Sequence, residues 1–267
     1  MTARRAGAAR LAGLRLPGIR RLLAPPLVLL AILLGVWSVL AIDQPAYLLP
    51  GPLTVLERSW ELTVVTGEVW QALALSMSAL VAGAVLALAI GAPLGIAMGA
   101  NRSVEHVFGP YVNGLYVAPV SALTPLFVWW FGIGLEPRIA TVFVFAAPVI
   151  ALTCLRGARD TPRTFVEVAR VFGASGTQVM TKTIIPHAVP YIVTALRLGL
   201  GRAVKGTVLA ELVVSITGLG ELLSGFAHVF DSASLIAVLL VLLLLGVILQ
   251  VVVARIEVAI APWRPAR

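Results

Sequence analysis

The chain has 267 residues, of which 60% are hydrophobic and 12% are charged. Soluble domains keep roughly a quarter of their residues charged, so this composition excludes an ordinary soluble domain and predicts a membrane protein. The net charge of +8 would also suit a nucleic-acid-binding protein, and the single cysteine, Cys154, excludes an intramolecular disulfide and a cysteine-clustered metal site.

Six apolar segments are each about long enough to cross the ~30 Å of hydrocarbon in a bilayer. They are residues 25–42, 71–99, 106–133, 138–155, 190–212 and 233–254. The sequence therefore predicts an all-α membrane protein with six transmembrane helices, a transmembrane domain over 25–255, a basic N-terminal segment over 1–24 and a C-terminal tail over 256–267. Pro110, Pro119 and Pro125 interrupt the third segment and predict a kinked or re-entrant path there.

The placement of the basic residues gives the orientation. With a cytoplasmic N-terminus, six basic residues precede the first span and nine more fall in other cytoplasmic segments, so fifteen of the 20 Lys and Arg residues lie inside. Only Arg58 and Arg138 fall in the outer segments, together with seven acidic residues. This asymmetry follows the positive-inside rule. It places both termini in the cytoplasm and makes a nucleic-acid partner unnecessary. The basic start before an apolar run is also typical of a secretory signal, but its length and the lack of a small-residue cleavage site favour a retained span.

Two features of the first half concern packing. Between the first two spans, apolar residues at helical spacing predict a short helix on the outer interface, namely Leu53, Leu56, Trp60 and Val64. In the second span, small residues recur at four-residue spacing, which predicts close packing on another helix: Gly83, Gly91, Gly95 and Gly99.

The sequence offers no catalytic centre. Residues 201–207 contain Gly and Lys but lack the spacing of a phosphate-binding loop. The three histidines, His106, His187 and His228, are scattered, and no paired carboxylates or nucleophile motif occurs. We therefore expect no enzymatic reaction and no bound metal in this chain.

The polar loop at 157–190 carries helix signals. Thr161 and Pro162 predict a helix start, with Thr161 as N-cap and Pro162 in the first turn. Gly173 predicts a left-handed helix end, and the segment from Ser175 to Gln178 has the form of a capping box. The loop is thus predicted to form two short helices, the second ending before Pro186.

The first of these helices has an apolar stripe. Phe165, Val168, Ala169 and Phe172 recur at the spacing of one helix face. One interpretation is that the stripe folds back onto the membrane bundle. The other is that it lies in a groove of a second protein.

The same loop resembles a known signature. Glu167, Ala169, Gly173 and Pro186 match the "EAA" pattern of permease subunits of type I ATP-binding-cassette (ABC) importers, with a glycine six residues after the Glu and a proline thirteen further on. Val168 and Thr183 depart from that pattern but keep small or β-branched bulk.

The resemblance extends over roughly residues 47–255. Segments 49–52, 124–134 and 196–203 look like the branch that carries aliphatic sulfonates, taurine, nitrate and pyrimidine precursors. It implies the type I permease fold, a prokaryotic inner membrane and a homodimer. It also implies two ABC ATPase subunits holding ATP and Mg²⁺, and an extracytoplasmic solute-binding protein. The loop would be the coupling helix: Glu167 contacts the ATPase, and Gly173 permits the turn.

The fifth span carries charge in its apolar run. Arg202 and Lys205 share a face near mid-span, and Glu211 lies near the outer end. A charge at bilayer depth costs at least ~2.5 kcal/mol, so these residues should face protein or a water-filled cavity. We expect Arg202, Lys205 and Glu211 to line a translocation pathway that attracts an anionic solute. An internal ion pair or a contact with the second protomer explains the same charges equally well.

Two other functional classes remain open. A self-contained secondary transporter or channel would need paired repeats or broken helices in corresponding halves, and a membrane scaffold would have no ATPase partner.

Overall fold

The computed structural model describes residues 19–214 and 217–260 of the chain, and its regular structure there is entirely helical. The helices are α1 (Ile19–Ile42), α2 (Pro52–Trp60), α3 (Glu68–Ala100), α4 (Arg102–Val117), α5 (Thr124–Phe131), α6 (Leu135–Arg159), α7 (Arg163–Val171), α8 (Gly176–Val179), α9 (Ile185–Val214), α10 (Leu219–His228) and α11 (Ser232–Ile260). Single π turns extend α2 over Glu61–Val65 and join α8 to α9 over Met180–Ile184, and a 3₁₀ turn at Val120–Leu123 precedes α5. The all-α prediction is confirmed.

Four stretches of the described chain are long and apolar enough to cross a membrane: Glu68–Ala100, Leu135–Arg159, Gly176–Val213 and Ser232–Arg255. A fifth candidate is the pair formed by α4 and the segment Val120–Phe131, which are bent by 94° relative to each other. The predicted first span is helical in α1, with a shorter apolar stretch over Leu27–Ile42. The first part of the basic N-terminal segment and most of the C-terminal tail lie outside the described residues.

Helices α3, α6 and α9 form the centre of the bundle. The small-residue stripe of α3 lies against α6: a Cβ at Gly83 would meet Val142, and one at Gly99 would meet Leu155 and Ala158. Because both numbers rise together, α3 and α6 run in the same direction. The predicted close packing of this stripe is confirmed, and the largest buried apolar cluster lies along it.

That parallel arrangement settles the route of the proline-broken segment. Since α3 ends where α6 also ends, residues 101–134 must travel the length of the bundle to reach the start of α6. The α4–α5 pair therefore links the two ends of the bundle and is the fifth candidate span. The break falls at Ala118 and Pro119, where a proline cannot continue the helical hydrogen bonds.

The bundle has two chemically different ends. We call the end with residues 157–190 and the start of α4 the loop end, and the end with the starts of α3, α6 and α11 the far end. At the far end, Arg58 forms ion pairs with Glu61 at 2.6 Å and with Asp231 at 3.6 Å. These contacts connect α2 and its π turn to the residue that precedes α11.

The surroundings of Asp231 stabilise the ionised form of its carboxyl group. Burial alone would raise the pKa of its carboxyl, but hydrogen bonds from Ser234 and the guanidinium of Arg58 outweigh burial and hold that pKa below its ordinary value. Glu61 and then Asp231 raise the pKa of Arg58 in return. Arg58 and Asp231 are therefore both ionised at neutral pH, and their contact is an ion pair.

Candidate coupling surface and membrane pathway

Helix α7 begins one residue later than predicted. It starts at Arg163, so Pro162 rather than Thr161 occupies the N-cap position, and no side chain caps the helix. Thr161 is buried, and its hydroxyl has no hydrogen-bond partner among the described residues. The prediction of Thr161 as N-cap is wrong because the helix starts at Arg163, which leaves Thr161 one position before the N-cap with its hydroxyl bonded to no N–H of the first turn.

The end of α7 is built as predicted. Gly173 has φ of +78°, the left-handed region in which glycine has no Cβ penalty. The Ala174 N–H donates to the Ala169 carbonyl at 3.0 Å and the Gly173 N–H donates to the Arg170 carbonyl at 2.9 Å. These two bonds form a Schellman motif, which satisfies carbonyls at the helix end.

The capping box that follows is also confirmed. The Ser175 hydroxyl accepts from the Gln178 N–H at 3.3 Å, while the Gln178 side chain accepts from the Ser175 N–H at 2.8 Å. We call residues 172–175, between α7 and α8, the glycine elbow. Local hydrogen bonds fix both of its ends, so the elbow holds α7 at a defined angle to α8.

The second helix of the loop does not stop before Pro186. It continues through the π turn into α9, so that Gly176–Val213 is one stretch of 38 residues. In the π turn the Ile185 N–H donates to the Met180 carbonyl, five residues back. Since this wider turn directly precedes Pro186, the missing proline N–H falls where the regular ladder is already interrupted. The predicted helix end at Pro186 is wrong for this reason.

Helix α7 presents its apolar side chains outward. Phe165 is 58% exposed, Val168 48% and Phe172 86%. Only Val166 and Ala169 pack, partly buried, against the core cluster of the bundle. Each interpretation of the stripe therefore holds for part of it. Ala169 packs on the bundle, whereas Phe165, Val168 and Phe172 are exposed and face away from it.

The polar face of α7 lies over a cleft. Arg163, Glu167 and Arg170 line an open cavity of about 1380 Å³ at the loop end, between α7, the start of α4 and the end of α6. Arg159 and Glu105 also line the cleft and form an ion pair there. Nearby in the chain, the Tyr191 hydroxyl donates to Asp160 at 2.7 Å. An amphipathic helix in water normally turns its apolar side inward; α7 has the reverse orientation.

The predicted coupling residues are thus close together with one exception. Glu167, Ala169, Phe172 and Gly173 lie on α7 and its C-terminal turn, whereas Pro186 is exposed at the start of α9, beyond α8 and the π turn. Glu167 lines the cleft, and Phe172 lies on the opposite, exposed side.

Arg202 and Lys205 lie on the open face of α9. The guanidinium of Arg202 stands 5.5 Å from the ring centroid of Tyr116, an attractive cation–π geometry. Tyr116 is near the end of α4, just before the break in that span. Lys205 lines a groove of about 440 Å³ between α9 and α11. At the loop end of this groove, Arg197 donates a hydrogen bond to Gln250 at 3.0 Å.

Glu211 occupies a different environment from Arg202 and Lys205. It is 1% exposed and contacts side chains from two other helices. Ser76 of α3 donates to its carboxylate at 2.8 Å, and Arg138 of α6 forms an ion pair with it at 3.6 Å. From sequence, Arg138 is predicted to lie in an outer segment, and Ser76 is not among the predicted site residues. The sequence did contain a hint of this pair. Glu211 and Arg138 carry opposite charges, and each lies in a largely apolar helix, where a charge needs a partner.

Sequence comparison identifies the family. The family "Binding-protein-dependent transport system inner membrane component" matches residues 87–262. Among curated relatives, the chain is 32% identical over 238 residues to the riboflavin transport system permease protein RibX of Chloroflexus aurantiacus, covering 88% of each chain. It is 30% identical over 241 residues to the taurine transport system permease protein TauC of Escherichia coli, covering 88% of this chain and 87% of TauC.

A solved structure has the same fold. A chain from the inward-facing MetNI methionine ABC transporter aligns with a TM-score of 0.60 at 26% identity, covering 72% of this chain and 94% of the MetNI chain. The helical bundle described above, the family match and these relatives agree. The chain therefore belongs to the family of binding-protein-dependent transport system inner membrane components, the membrane permeases of ABC importers, which are distinct from the ATPase.

Proposed function

We propose that this permease is driven by an ABC ATPase that docks on the exposed apolar face of α7. The observation that carries the proposal is the reversed orientation of α7, with Phe165, Val168 and Phe172 directed away from the bundle. Burying a phenylalanine side chain is worth roughly 1.5–3 kcal/mol, so leaving two of them in water is costly. A groove on a partner protein would remove that cost.

The assembly would contain six spans per chain, with α1 as the sixth. The loop end would be cytoplasmic, because it carries Arg102, Arg159, Arg163, Arg170 and Lys182, while the far end carries Glu61, Glu68, Glu136, Glu221 and Asp231. The transmembrane domain would extend over 25–255, with the coupling loop at 157–190 and both termini in the cytoplasm.

Two copies of the chain would form the pathway at a two-fold axis, since the open face of α9 leaves Arg202 and Lys205 uncovered in one protomer. Two ATPase subunits, which hold ATP and Mg²⁺, would bind the two α7 helices. A separate binding protein would deliver the solute at the far end. Closure of the ATPases would move the α7 helices and switch the bundle between inward- and outward-facing states.

The solute is proposed to be a small anion or zwitterion. Arg202 and Lys205 have no acidic partner among the described residues, so the open face of α9 is positively charged. The named relatives act on taurine in one case and riboflavin in another, and another relative is a putative aliphatic sulfonates permease of Bacillus subtilis. Charge on α9 favours the sulfonate-like class over an uncharged ring compound. In the pathway role predicted for it, Glu211 would act only indirectly, because it is buried.

The test of ATPase docking is copurification from the native membrane. Phe172→Asp places a charge on the proposed contact and should reduce the recovered ATPase by at least about tenfold, since 1.4 kcal/mol corresponds to a factor of ten. Thr177→Asp is the matched control, because Thr177 is exposed in the same loop but lies outside the apolar face.

Three outcomes separate the functional classes. A stoichiometric ATPase that is lost with Phe172→Asp and kept with Thr177→Asp supports the proposal. Solute transport by the purified chain without any ATPase would identify a secondary transporter or channel. A chain that brings down neither ATPase nor transport activity would be a membrane scaffold.

A further inference from the structure

The carboxylate of Glu211 caps the N-terminus of α10. The Gly220 N–H donates to Glu211 at 3.0 Å, and the Leu219 N–H donates at 2.9 Å to the hydroxyl of Ser76, which itself donates to Glu211. Two N–H groups of the first turn are thereby satisfied by side chains from α9 and α3, where a negative charge is also favoured by the helix dipole. A remote residue, rather than a local N-cap, fixes the position of this helix.

The contact leaves no space around it. A Cβ on Gly218 would lie 2.6 Å from the Glu211 carboxylate, and one on Gly220 would lie 2.7 Å from the Glu211 backbone carbon. Gly218 also has φ of +87°, which favours glycine. On its other side the carboxylate faces the buried Arg138. The start of α10 is therefore fastened to α3, α6 and α9 at one point, Glu211.

Glu211 lies on the same continuous helical stretch as the coupling loop. That stretch begins at Gly176, directly after the glycine elbow that ends α7, and reaches Val213. The capping box at Ser175 and the Schellman motif at Gly173 fix the elbow. Helix α7 is thus joined through a hydrogen-bonded turn to one end of a helical stretch whose other end holds α10.

Beyond its first turn, α10 borders an open cleft on one face. Gly218, Glu221 and Phe226 line an open cleft of about 500 Å³ between α10 and the start of α3. The opposite face of α10 packs through Leu219 and Leu223 on a small apolar cluster with Val69 and Val238. Beyond its first turn, α10 is therefore packed on one face and borders the cleft on the other.

We infer that Glu211 is a positioning residue that couples α10, at the far end, to ATPase-driven movement of the coupling loop through α9. The inference rests on the proposed ATPase docking and adds the route by which that docking reaches the far end. Arg138 and Ser76 hold the Glu211 carboxylate in place.

The experiment reads the movement of α10 directly. Cys154 is replaced by Ala, and Ala227→Cys introduces one exposed thiol near the end of α10. The permease with its ATPase is reconstituted in lipid nanodiscs, which leave both membrane faces accessible, and labelled with a water-soluble maleimide, without nucleotide and after trapping with MgATP and vanadate. The labelling rate of the introduced thiol should differ at least about fivefold between the two states.

A second variant removes the Glu211–Arg138 ion pair without leaving either charge buried and unpaired. Glu211→Met with Arg138→Met replaces the ion pair by apolar groups of similar size, a change that buried pairs often tolerate. The nucleotide-dependent difference should fall below about twofold while the ATPase remains bound and hydrolyses ATP. Thr207→Val is the control, because Thr207 is buried on α9 but, among the described residues, its hydroxyl bonds only to Ala203 of its own helix; it should keep the full difference.

Several results would overturn the inference. One is an unchanged difference in the double variant; another is no difference with the native fastening intact while ATP is hydrolysed, and both leave ATPase docking intact. If no ATPase binds at all, the proposed function fails and the inference fails with it. Should the double variant not fold, Ser76→Ala removes one support without touching the charges and must still reduce the difference.

Discussion

Glycines of α3 set the distance between the two central parallel helices. A Cβ on Gly91 would lie 2.9 Å from the Ala147 carbonyl oxygen, and one on Gly95 would collide with the backbone of Ala151. Backbone atoms cannot rotate away as a flexible side chain can, so the helices themselves would have to separate.

Gly95→Val should therefore destabilise the permease. Overpacking of a filled site costs typically 1–3 kcal/mol, which we expect to lower the Tm by several degrees in a detergent unfolding assay. Gly114→Val is the control: Gly114 is also helical, in α4, but nothing lies within 4 Å of its Cβ position. Equal losses in the two variants would show that helix propensity rather than α3–α6 packing sets the cost.

At the scale of single residues, the sequence predicted those features whose cause is local. Four-residue spacing of glycine identified the α3 stripe, and Gly173 identified a left-handed helix end. Glu211 shows the limit, because its partner Ser76 is 135 positions away. A carboxylate in an apolar span is equally compatible with a pathway and with an internal network, and the tertiary contact decides which neighbours it has.

At the scale of elements, the open face of α9 carries the charge that we assign to the pathway. Arg202 is held against Tyr116 of α4, while Lys205 lines the groove toward α11. The break in the α4–α5 span lies next to Tyr116. Broken helices at bilayer depth leave backbone groups available to a solute, so this face combines the features that an anion-conducting surface needs.

Lys205→Ala should change how uptake depends on solute charge. With ATPase and binding protein present, uptake of taurine should fall several-fold, because the positive charge near mid-span is removed, whereas uptake of uncharged riboflavin should not fall. Both are measured as initial rates in proteoliposomes. Leu198→Ala, on the same exposed face without charge, is the control. An identical effect on both solutes would exclude Lys205 as a determinant of charge preference.

Helix ends in the coupling loop could be predicted where backbone hydrogen bonds are closed within a few residues. The left-handed helix end at Gly173 and the capping box at Ser175 are such cases, and both follow from the sequence; the Schellman hydrogen bonds at Gly173 are seen only in the structure. The continuation past Pro186 was not predicted, because a π turn at Met180–Ile184 accommodates a proline that would end a regular helix. The start of α7 differed by one residue because Thr161 is buried instead of capping.

At the scale of the whole molecule, hydropathy predicted the membrane class, which the family match confirms, while six spans with both termini in the cytoplasm stay a prediction. The parallel packing of α3 and α6 then requires residues 101–134 to link the two ends of the bundle, which hydropathy and three prolines left ambiguous. Solute identity did not follow from the sequence at all, since close relatives are named for chemically different solutes. The family shows that the chain is a permease of an ABC importer, and the charged face of α9 is where we propose that the solute is selected.

The proposed mechanism depends most on whether this permease works in a complex with an ATPase. Native mass measurement of the complex extracted from its own membrane tests that directly. We predict two copies of the 28.1 kDa chain together with two ATPase subunits. Detection of the permease alone, or only with partners that lack an ATPase, in a preparation that still transports solute, would contradict it.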